Sequence, residues 1–131
     1  MPDTALRTGG QILVEQLRIQ GCDRIFTVPG ESFLAVLDAL HEGHLIDWLH
    51  EAQARGAKAV IINPGGYSHT SVALHDAVKA IATPVIEVHL SDPDTRESFR
   101  HTDLVALAAT EVIKGKGAYG YALALDAAAR L

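Results

Sequence analysis

Three polar side chains alternate with apolar ones along residues 86–91, and their types suit acid–base chemistry. Glu87, His89 and Ser91 share one face of a strand, because successive side chains of a strand point to opposite faces. A carboxylate beside an imidazole can orient the ring and favour its protonated form, and the serine offers a hydroxyl to a ligand. The pattern predicts a polar site at the carboxyl end of this strand. An edge strand with one solvated face is the alternative.

A second polar group follows an apolar strand further upstream. Asn63 ends the run AVIIN, a Pro-Gly-Gly turn follows, and His69 comes at the start of the next helix. The glycines let the backbone approach a ligand closely, and a helix start favours anionic groups. Because the same dipole disfavours a charged imidazole, we interpret His69 as a neutral hydrogen-bonding group, with a capping or surface histidine as the alternative. Asp76 lies two turns further along that helix. Arg100 could bind a carboxylate with two hydrogen bonds, or could be an ordinary surface arginine.

The elements that must position these residues alternate between helix and strand. Strands are predicted over residues 24–28, 59–63, 85–90 and 111–114. Helices are predicted over residues 9–20, 32–42, 45–56, 68–82 and 118–131, with a short helix near residues 96–100. This order predicts an α/β fold, with helices on both faces of a parallel sheet. We expect Ser68 or Thr70 to cap the helix after Asn63.

Length and composition disfavour several classes of protein. The chain has 131 residues, enough for one domain with its own core, and its 48% hydrophobic and 21% charged residues are ordinary for a soluble protein. The net charge of −5 disfavours nucleic acid as a partner. No apolar run approaches the roughly 20 residues of a membrane span, so we expect no membrane association. A single cysteine, Cys22, and an N-terminus without a signal-peptide pattern favour the cytoplasm.

Several blocks of the sequence, in order, resemble the type II 3-dehydroquinate dehydratases of the shikimate pathway. The blocks are HEGHLIDWLHEA (41–52), NPGGYSHTSVALHD (63–76), EVHLS (87–91) with FRH downstream, and GKGAYGYALAL (115–125). The resemblance covers roughly residues 41 to 126. It implies a flavodoxin-like, three-layer α/β sandwich with a parallel sheet of four or five strands. It also implies trans-dehydration of 3-dehydroquinate to 3-dehydroshikimate through an enolate.

The resemblance implies roles for individual residues as well. His89 matches the general acid that protonates the departing hydroxyl, and Glu87 would support it. The substrate-binding positions match Asn63, His69, Leu90, Ser91 and Arg100. Asp76 matches a residue that family members present across a subunit contact in a dodecamer, although His75 stands where they usually have arginine. We expect a small anionic substrate similar to 3-dehydroquinate, a homo-oligomer, no cofactor and no metal.

The beginning of the chain resembles a different family. Residues 7–42 are similar to the start of thiamine-diphosphate enzymes of the acetolactate synthase type, in which a helix, a strand ending in VPGE and a second helix open the pyrimidine-binding domain. The two resemblances meet at the tripeptide His-Glu-Gly at 41–43. We therefore interpret the chain as a single domain recombined from residues 1–42 of one family and 43–131 of the other.

The resemblance also lacks one part of the dehydratase machinery. The family's lid loop carries an arginine and the tyrosine that acts as base, and nothing in the first 41 residues matches it. Tyr67 adjoins the site but belongs to the Pro-Gly-Gly turn, whereas Tyr119 and Tyr121 belong to the closing segment, so we expect none of them to replace the base. Impaired dehydration is the prediction, and a catalytically silent structural oligomer is the alternative.

Three other functions have weaker support. Thiamine-diphosphate chemistry would need a pyrophosphate–magnesium motif that is absent from this sequence, and Glu42 is at best a relic of the cofactor glutamate. The glycines of residues 115–120 satisfy G-x-G-x-x-G, but no strand or acidic residue follows, so close helix–sheet packing is the better interpretation. His41 and His44 hint at a metal site but have no evident third ligand.

Overall fold

The computed structural model describes residues 42–131, the short strand Phe26–Thr27 and Ile19. The strands are β1 (Phe26–Thr27), β2 (Val60–Asn63), β3 (Val85–His89) and β4 (Glu111–Lys114). The helices are α1 (Glu42–Ala54), α2 (Tyr67–Thr70), α3 (Val72–Ala80) and α4 (Tyr119–Arg130), with 3-10 helices at Pro93–Thr95 and Ser98–His101. None of the described helices has the length and apolar character needed to cross a membrane. The helices predicted over residues 9–20 and 32–42 lie outside the described residues, Ile19 and Glu42 excepted.

The strands form one parallel sheet in the order β1-β2-β3-β4. This confirms the predicted α/β fold with a parallel sheet. The total number of strands stays a prediction, because most of the first 41 residues lie outside the described part. Since β3 has a neighbour on each side and all five of its residues are buried, the alternative of a solvated edge strand is wrong. The polar side chains of β3 must therefore be satisfied inside the protein.

Helices pack on both faces of the sheet. On one face, α1 and α3 cover β2 and the start of β3; the buried residues there include Leu45, Leu49, Val60, Ile62, Leu74 and Val85. On the other face, α4 covers Ile86 and Val88 with the small residues Ala124 and Ala127. A Cβ atom on Gly120 would lie 3.2 Å from Val88 Cγ1, so the absence of a side chain lets α4 approach the sheet. This supports the packing interpretation of the glycine motif at that position.

The helix predicted over residues 68–82 is in fact two helices. Ser71 separates them: its backbone is extended, with φ −97° and ψ 97°, and its Oγ accepts a hydrogen bond of 2.8 Å from the N–H of Leu74. The expectation that Ser68 or Thr70 caps the long helix is wrong, because both lie within α2 and already have helical backbone. Ser71 instead has the extended conformation from which a side chain can reach the third helical N–H.

Candidate active site

A buried ion pair occupies the end of β3. Ile86 and Val88 face α4, so Glu87 and His89 lie on the opposite face of the sheet. Glu87 has no exposed surface and His89 is 6% exposed. The distance from His89 Nε2 to Glu87 Oε1 is 2.8 Å. The structure thus brings together the carboxylate and the imidazole that the strand period placed on one face.

A second carboxylate, which the sequence analysis missed, contacts the same nitrogen. Asp103 Oδ2 lies 3.3 Å from His89 Nε2. Its other oxygen, Oδ1, accepts a hydrogen bond of 2.9 Å from the N–H of Ala106. Asp103 lies in a loop, where no helical or strand period indicates the direction of a side chain. Its position two residues after the FRH block was the available signal.

The three groups alter one another's ionisation. Burial alone would lower the pKa of His89, but hydrogen bonds to Asp103 and Glu87 and the charges of these carboxylates raise it to about 9. Burial raises the pKa of Glu87 above its ordinary value, despite the opposing hydrogen bond to the imidazole. Burial would also raise the pKa of Asp103, but hydrogen bonds from His89 and from the Ala106 N–H lower it. Near neutral pH, His89 is therefore protonated and Asp103 ionised.

The same three residues could in principle hold a divalent cation. One ligand atom from each of Glu87, His89 and Asp103 lies within 4.8 Å of the others. Imidazole and carboxylate groups are suitable ligands for zinc and similar metals. The 2.8 Å contact between His89 and Glu87, however, has the length of a charge-assisted hydrogen bond, so a proton on Nε2 already accounts for the arrangement.

His69 lies beside His89. Their ring centroids are 6.4 Å apart and the rings are inclined by 19°. His69 Nδ1 lies 2.7 Å from the carbonyl oxygen of Thr102, and because a carbonyl can only accept, Nδ1 carries a proton and donates it. We expected the dipole of a helix start at His69 to favour an anionic group. The helix that contains His69, α2, has only four residues, and the longer α3 begins only after Ser71, so this expected contribution of a helix dipole is absent at His69.

Asn63 has a fixed side-chain orientation at the end of β2. The Gly65 N–H donates to Asn63 Oδ1 at 3.2 Å, and Asn63 Nδ2 donates to the hydroxyl oxygen of Tyr121 at 3.0 Å. Gly65 has a φ of 57°, a left-handed conformation that favours glycine and closes this turn. The sequence analysis had assigned Tyr121 only to the closing segment. Its contact with Asn63 spans 58 residues, and neither local periodicity nor spacing reveals it.

The residues directly after β3 lie in a loop. Because β3 ends at His89, the strand alternation does not extend to Leu90 and Ser91, both of which are exposed. Ser91 Oγ accepts a hydrogen bond of 3.4 Å from Arg96 Nη1. Arg96 is thus a second cation near the site that the sequence analysis did not identify.

The two remaining predicted residues lie further from the histidines along the chain. Arg100 Nε donates to Glu97 Oε2 at 2.8 Å, and its Cζ atom lies 5.0 Å from the ring centroid of Phe99. The guanidinium is therefore held at one edge by a carboxylate and against an aromatic face. Asp76 is exposed on α3.

The segment that carries Asp103 is anchored on both sides. Before Asp103, the carbonyl oxygen of Thr102 accepts the hydrogen bond from His69 Nδ1. After it, the N–H of Leu104 donates to the carbonyl of Ser68 at 2.7 Å, and His75 Nδ1 lies 2.6 Å from the carbonyl oxygen of Leu104. These bonds tie the segment to α2 and α3 and define where the Asp103 carboxylate can reach.

Comparisons with known proteins identify relatives of this chain. The sequence profile of the family described as Dehydroquinase class II matches residues 26–129. The chain is 61% identical over 87 residues to 3-dehydroquinate dehydratase 1 of Agrobacterium fabrum, covering 66% of this chain and 59% of that protein. It is 49% identical over 108 residues to the 3-dehydroquinate dehydratase of Hyphomonas neptunium, covering 82% of this chain and 73% of that protein.

Solved structures give the same result. The type II dehydroquinase from Propionibacterium acnes matches with a TM-score of 0.75 and 33% identity, covering 92% of this chain and 75% of that one. The enzyme from Butyrivibrio crossotus matches with a TM-score of 0.66 and 39% identity, covering 67% and 61%. In the first of the curated relatives, the chain spans 59% of the relative's length.

One expectation about the beginning of the chain has no support from these comparisons. The family profile begins to match at residue 26, inside the segment 7–42 that resembles thiamine-diphosphate enzymes. The match to the Propionibacterium acnes structure covers 92% of the chain. The comparisons therefore support neither the second resemblance nor a recombinant origin.

Proposed function

Because the chain belongs to the class II dehydroquinase family, we propose that it dehydrates 3-dehydroquinate to 3-dehydroshikimate. The reaction removes the C2 proton to form an enolate and expels a hydroxyl as water, so it needs a base at carbon and an acid at the departing oxygen. The observation that carries the proposal is the pair of carboxylates on the buried imidazole of His89. This arrangement supplies a protonated acid at neutral pH.

In the proposed mechanism, His89 is the general acid. Its Nε2 is engaged by Glu87 and Asp103, which leaves Nδ1 to donate a proton to the departing hydroxyl. The C–O bond breaks, the electron pair leaves with the oxygen as water, and the ring becomes neutral while Nε2 keeps its proton. With a pKa of about 9, the ring is charged before the step and can still release its proton. A positioned acid of this kind commonly contributes about 10²- to 10⁴-fold in rate.

The proposed binding residues are the positions that match the family's substrate-binding residues. They are Asn63, His69, Leu90, Ser91 and Arg100, with Asp76 from a neighbouring subunit. The stacking of His69 beside His89 supports its place in the site. The fixed amide of Asn63 offers oriented hydrogen bonds, and Arg100 supplies a positive charge for the substrate carboxylate.

We also propose a homo-oligomer, with the dodecamer of the family as the expected assembly and a flavodoxin-like, three-layer fold in each subunit. Val72 is 60% exposed on α3, one helical turn before the exposed Asp76. An exposed aliphatic side chain next to a carboxylate suits a contact with a second copy of the chain.

The proposed mechanism lacks an identified base for the C2 proton. The three tyrosines of the chain are Tyr67, Tyr119 and Tyr121, so none precedes the Pro-Gly-Gly turn. Tyr67 packs against the core, Tyr119 is 66% exposed, and the Tyr121 hydroxyl accepts a hydrogen bond from Asn63. We therefore propose impaired dehydration. A catalytically silent oligomer with a dehydroquinase-like core is the second candidate, favoured by the missing tyrosine.

The test is turnover of 3-dehydroquinate, followed by the ultraviolet absorbance of the conjugated product. Turnover that H89A removes and H50A retains would support the proposal, because His50 is exposed on α1 and serves as a matched control. A protein that melts cooperatively but shows no turnover would favour the silent alternative. Equal turnover by wild type and H89A would exclude His89 as the acid.

A further inference from the structure

Two carboxylates from different parts of the chain meet on one imidazole nitrogen. Glu87 Oε1 lies 2.8 Å and Asp103 Oδ2 lies 3.3 Å from His89 Nε2. Glu87 belongs to the same strand as His89, whereas Asp103 lies in the loop before β4. One N–H cannot point straight at two acceptors, so the carboxylates share its proton.

We propose that Asp103 is a positioning residue for His89, acting as its ionised counter-ion and orienting the ring so that Nδ1 remains available to substrate. This rests on the function proposed above, in which His89 is the acid. Asp103 itself does not touch the reacting atoms in this scheme. It acts through the imidazole, together with Glu87.

The anchoring of Asp103 distinguishes it from an ordinary turn residue. A simple cap would need only the hydrogen bond from Ala106 to Oδ1. The second oxygen reaches His89 because the flanking bonds to Ser68 and His75 hold the segment against α2 and α3. A carboxylate fixed by one oxygen and paired through the other loses little additional freedom when it binds the imidazole.

The charges around His89 indicate why a second carboxylate matters. Glu87 is fully buried and its Oε2 has no partner among the described residues, and this burial raises its pKa. The Asp103 side chain is 20% exposed and favours the charged form. The other titratable groups facing the ring are His69, stacked on it, and Lys114, which pairs with His89 in the β3–β4 register. The Lys114 ammonium is paired with the aspartates of the loop after β3, so Asp103 is the second anion, beside Glu87, that faces the imidazole.

The test is an NMR titration of the His89 imidazole in wild type, D103N and D103S. The serine variant can still accept a hydrogen bond in the turn but carries no charge, so it separates capping from pairing. Both variants should lower the His89 titration midpoint by about one pH unit or more. D126N is the matched control, because Asp126 is exposed on α4, on the other face of the sheet, and its loss should leave the midpoint unchanged.

A His89 midpoint that stays within about 0.3 pH unit of wild type in folded D103S would overturn the proposal. The titration needs no turnover, so it decides the role of Asp103 even if the protein proves catalytically silent. In an active protein, the alkaline limb of kcat/KM should move down with the NMR midpoint in D103N and D103S. A lowered midpoint with an unmoved kinetic limb would keep the pairing and exclude His89 as the acid, so failure of the proposed function remains distinguishable.

Discussion

Asn63 and Tyr121 are joined by a hydrogen bond of 3.0 Å between the amide Nδ2 and the phenolic oxygen, although 58 residues separate them. The bond connects the end of β2 to α4, which lies on the other side of the sheet from α1 and α3. Together with the Gly65 N–H on Oδ1, it determines which side of the amide is oxygen and which is nitrogen. A polar group held in this way can bind a ligand without first losing rotational freedom.

Replacing Tyr121 with phenylalanine should weaken ligand binding. Y121F removes the acceptor of Asn63 Nδ2, so the amide is held only by the Gly65 N–H on Oδ1. Loss of one such bond is worth about 1 kcal/mol, and we expect the Kd of a quinate-like ligand to rise about fivefold. Isothermal titration calorimetry would measure it. The exposed Tyr119 provides the control, and an equal effect of Y119F would show that the result has another cause.

Stability should depend on pH through His89. Its pKa of about 9 in the folded protein exceeds its ordinary value of 6.5, so folding favours the protonated ring. The stabilisation is therefore complete below pH 6.5 and is lost as the pH rises through 9. The difference corresponds to about 3 kcal/mol. Denaturant unfolding at several pH values, compared between wild type and H89Q, would isolate this contribution. Parallel stability curves for the two proteins between pH 6 and 10 would contradict the expectation.

The charge of Arg100 should matter for binding of an anionic substrate. R100A removes a guanidinium held by Glu97 and Phe99, and we expect about a tenfold or greater rise in the Kd of a quinate-like carboxylate, because charge-assisted bonds are the strong ones. R55A is the control, since Arg55 pairs with Glu51 on the exposed side of α1. An unaltered Kd in R100A would remove Arg100 from the site.

Gly120 should be intolerant of a side chain. In G120A the new methyl group would meet Val88 Cγ1 at 3.2 Å, and Val88 is a buried, β-branched residue that cannot move aside easily. We expect a loss of about 1 kcal/mol or more in the free energy of unfolding, despite the better helix propensity of alanine. The matched variant is G43A in α1, which meets nothing within 4 Å and should be neutral or slightly stabilising. Urea denaturation of both variants would measure the contrast.

Much of the framework could be predicted from local patterns. The strand over residues 111–114 was predicted with the bounds that the structure shows, and the closing helix differs by one residue at each end. The contact between Glu87 and His89 followed from the strand period, because residues two apart lie on one face. The break at Ser71 was not predicted, since the residues on either side of it are compatible with one continuous helix.

The sequence by itself determined the alternation of helix and strand, the face of β3 that carries its polar residues and the family to which the chain belongs. These depend on periodicity and on ordered blocks of residues, which are properties of neighbours along the chain. Only the tertiary structure decided that β3 is an interior strand, that Asp103 joins His89 and that Tyr121 orients Asn63. Such contacts join residues far apart in the chain, and their geometry depends on how loops and helices pack over the sheet rather than on any local pattern.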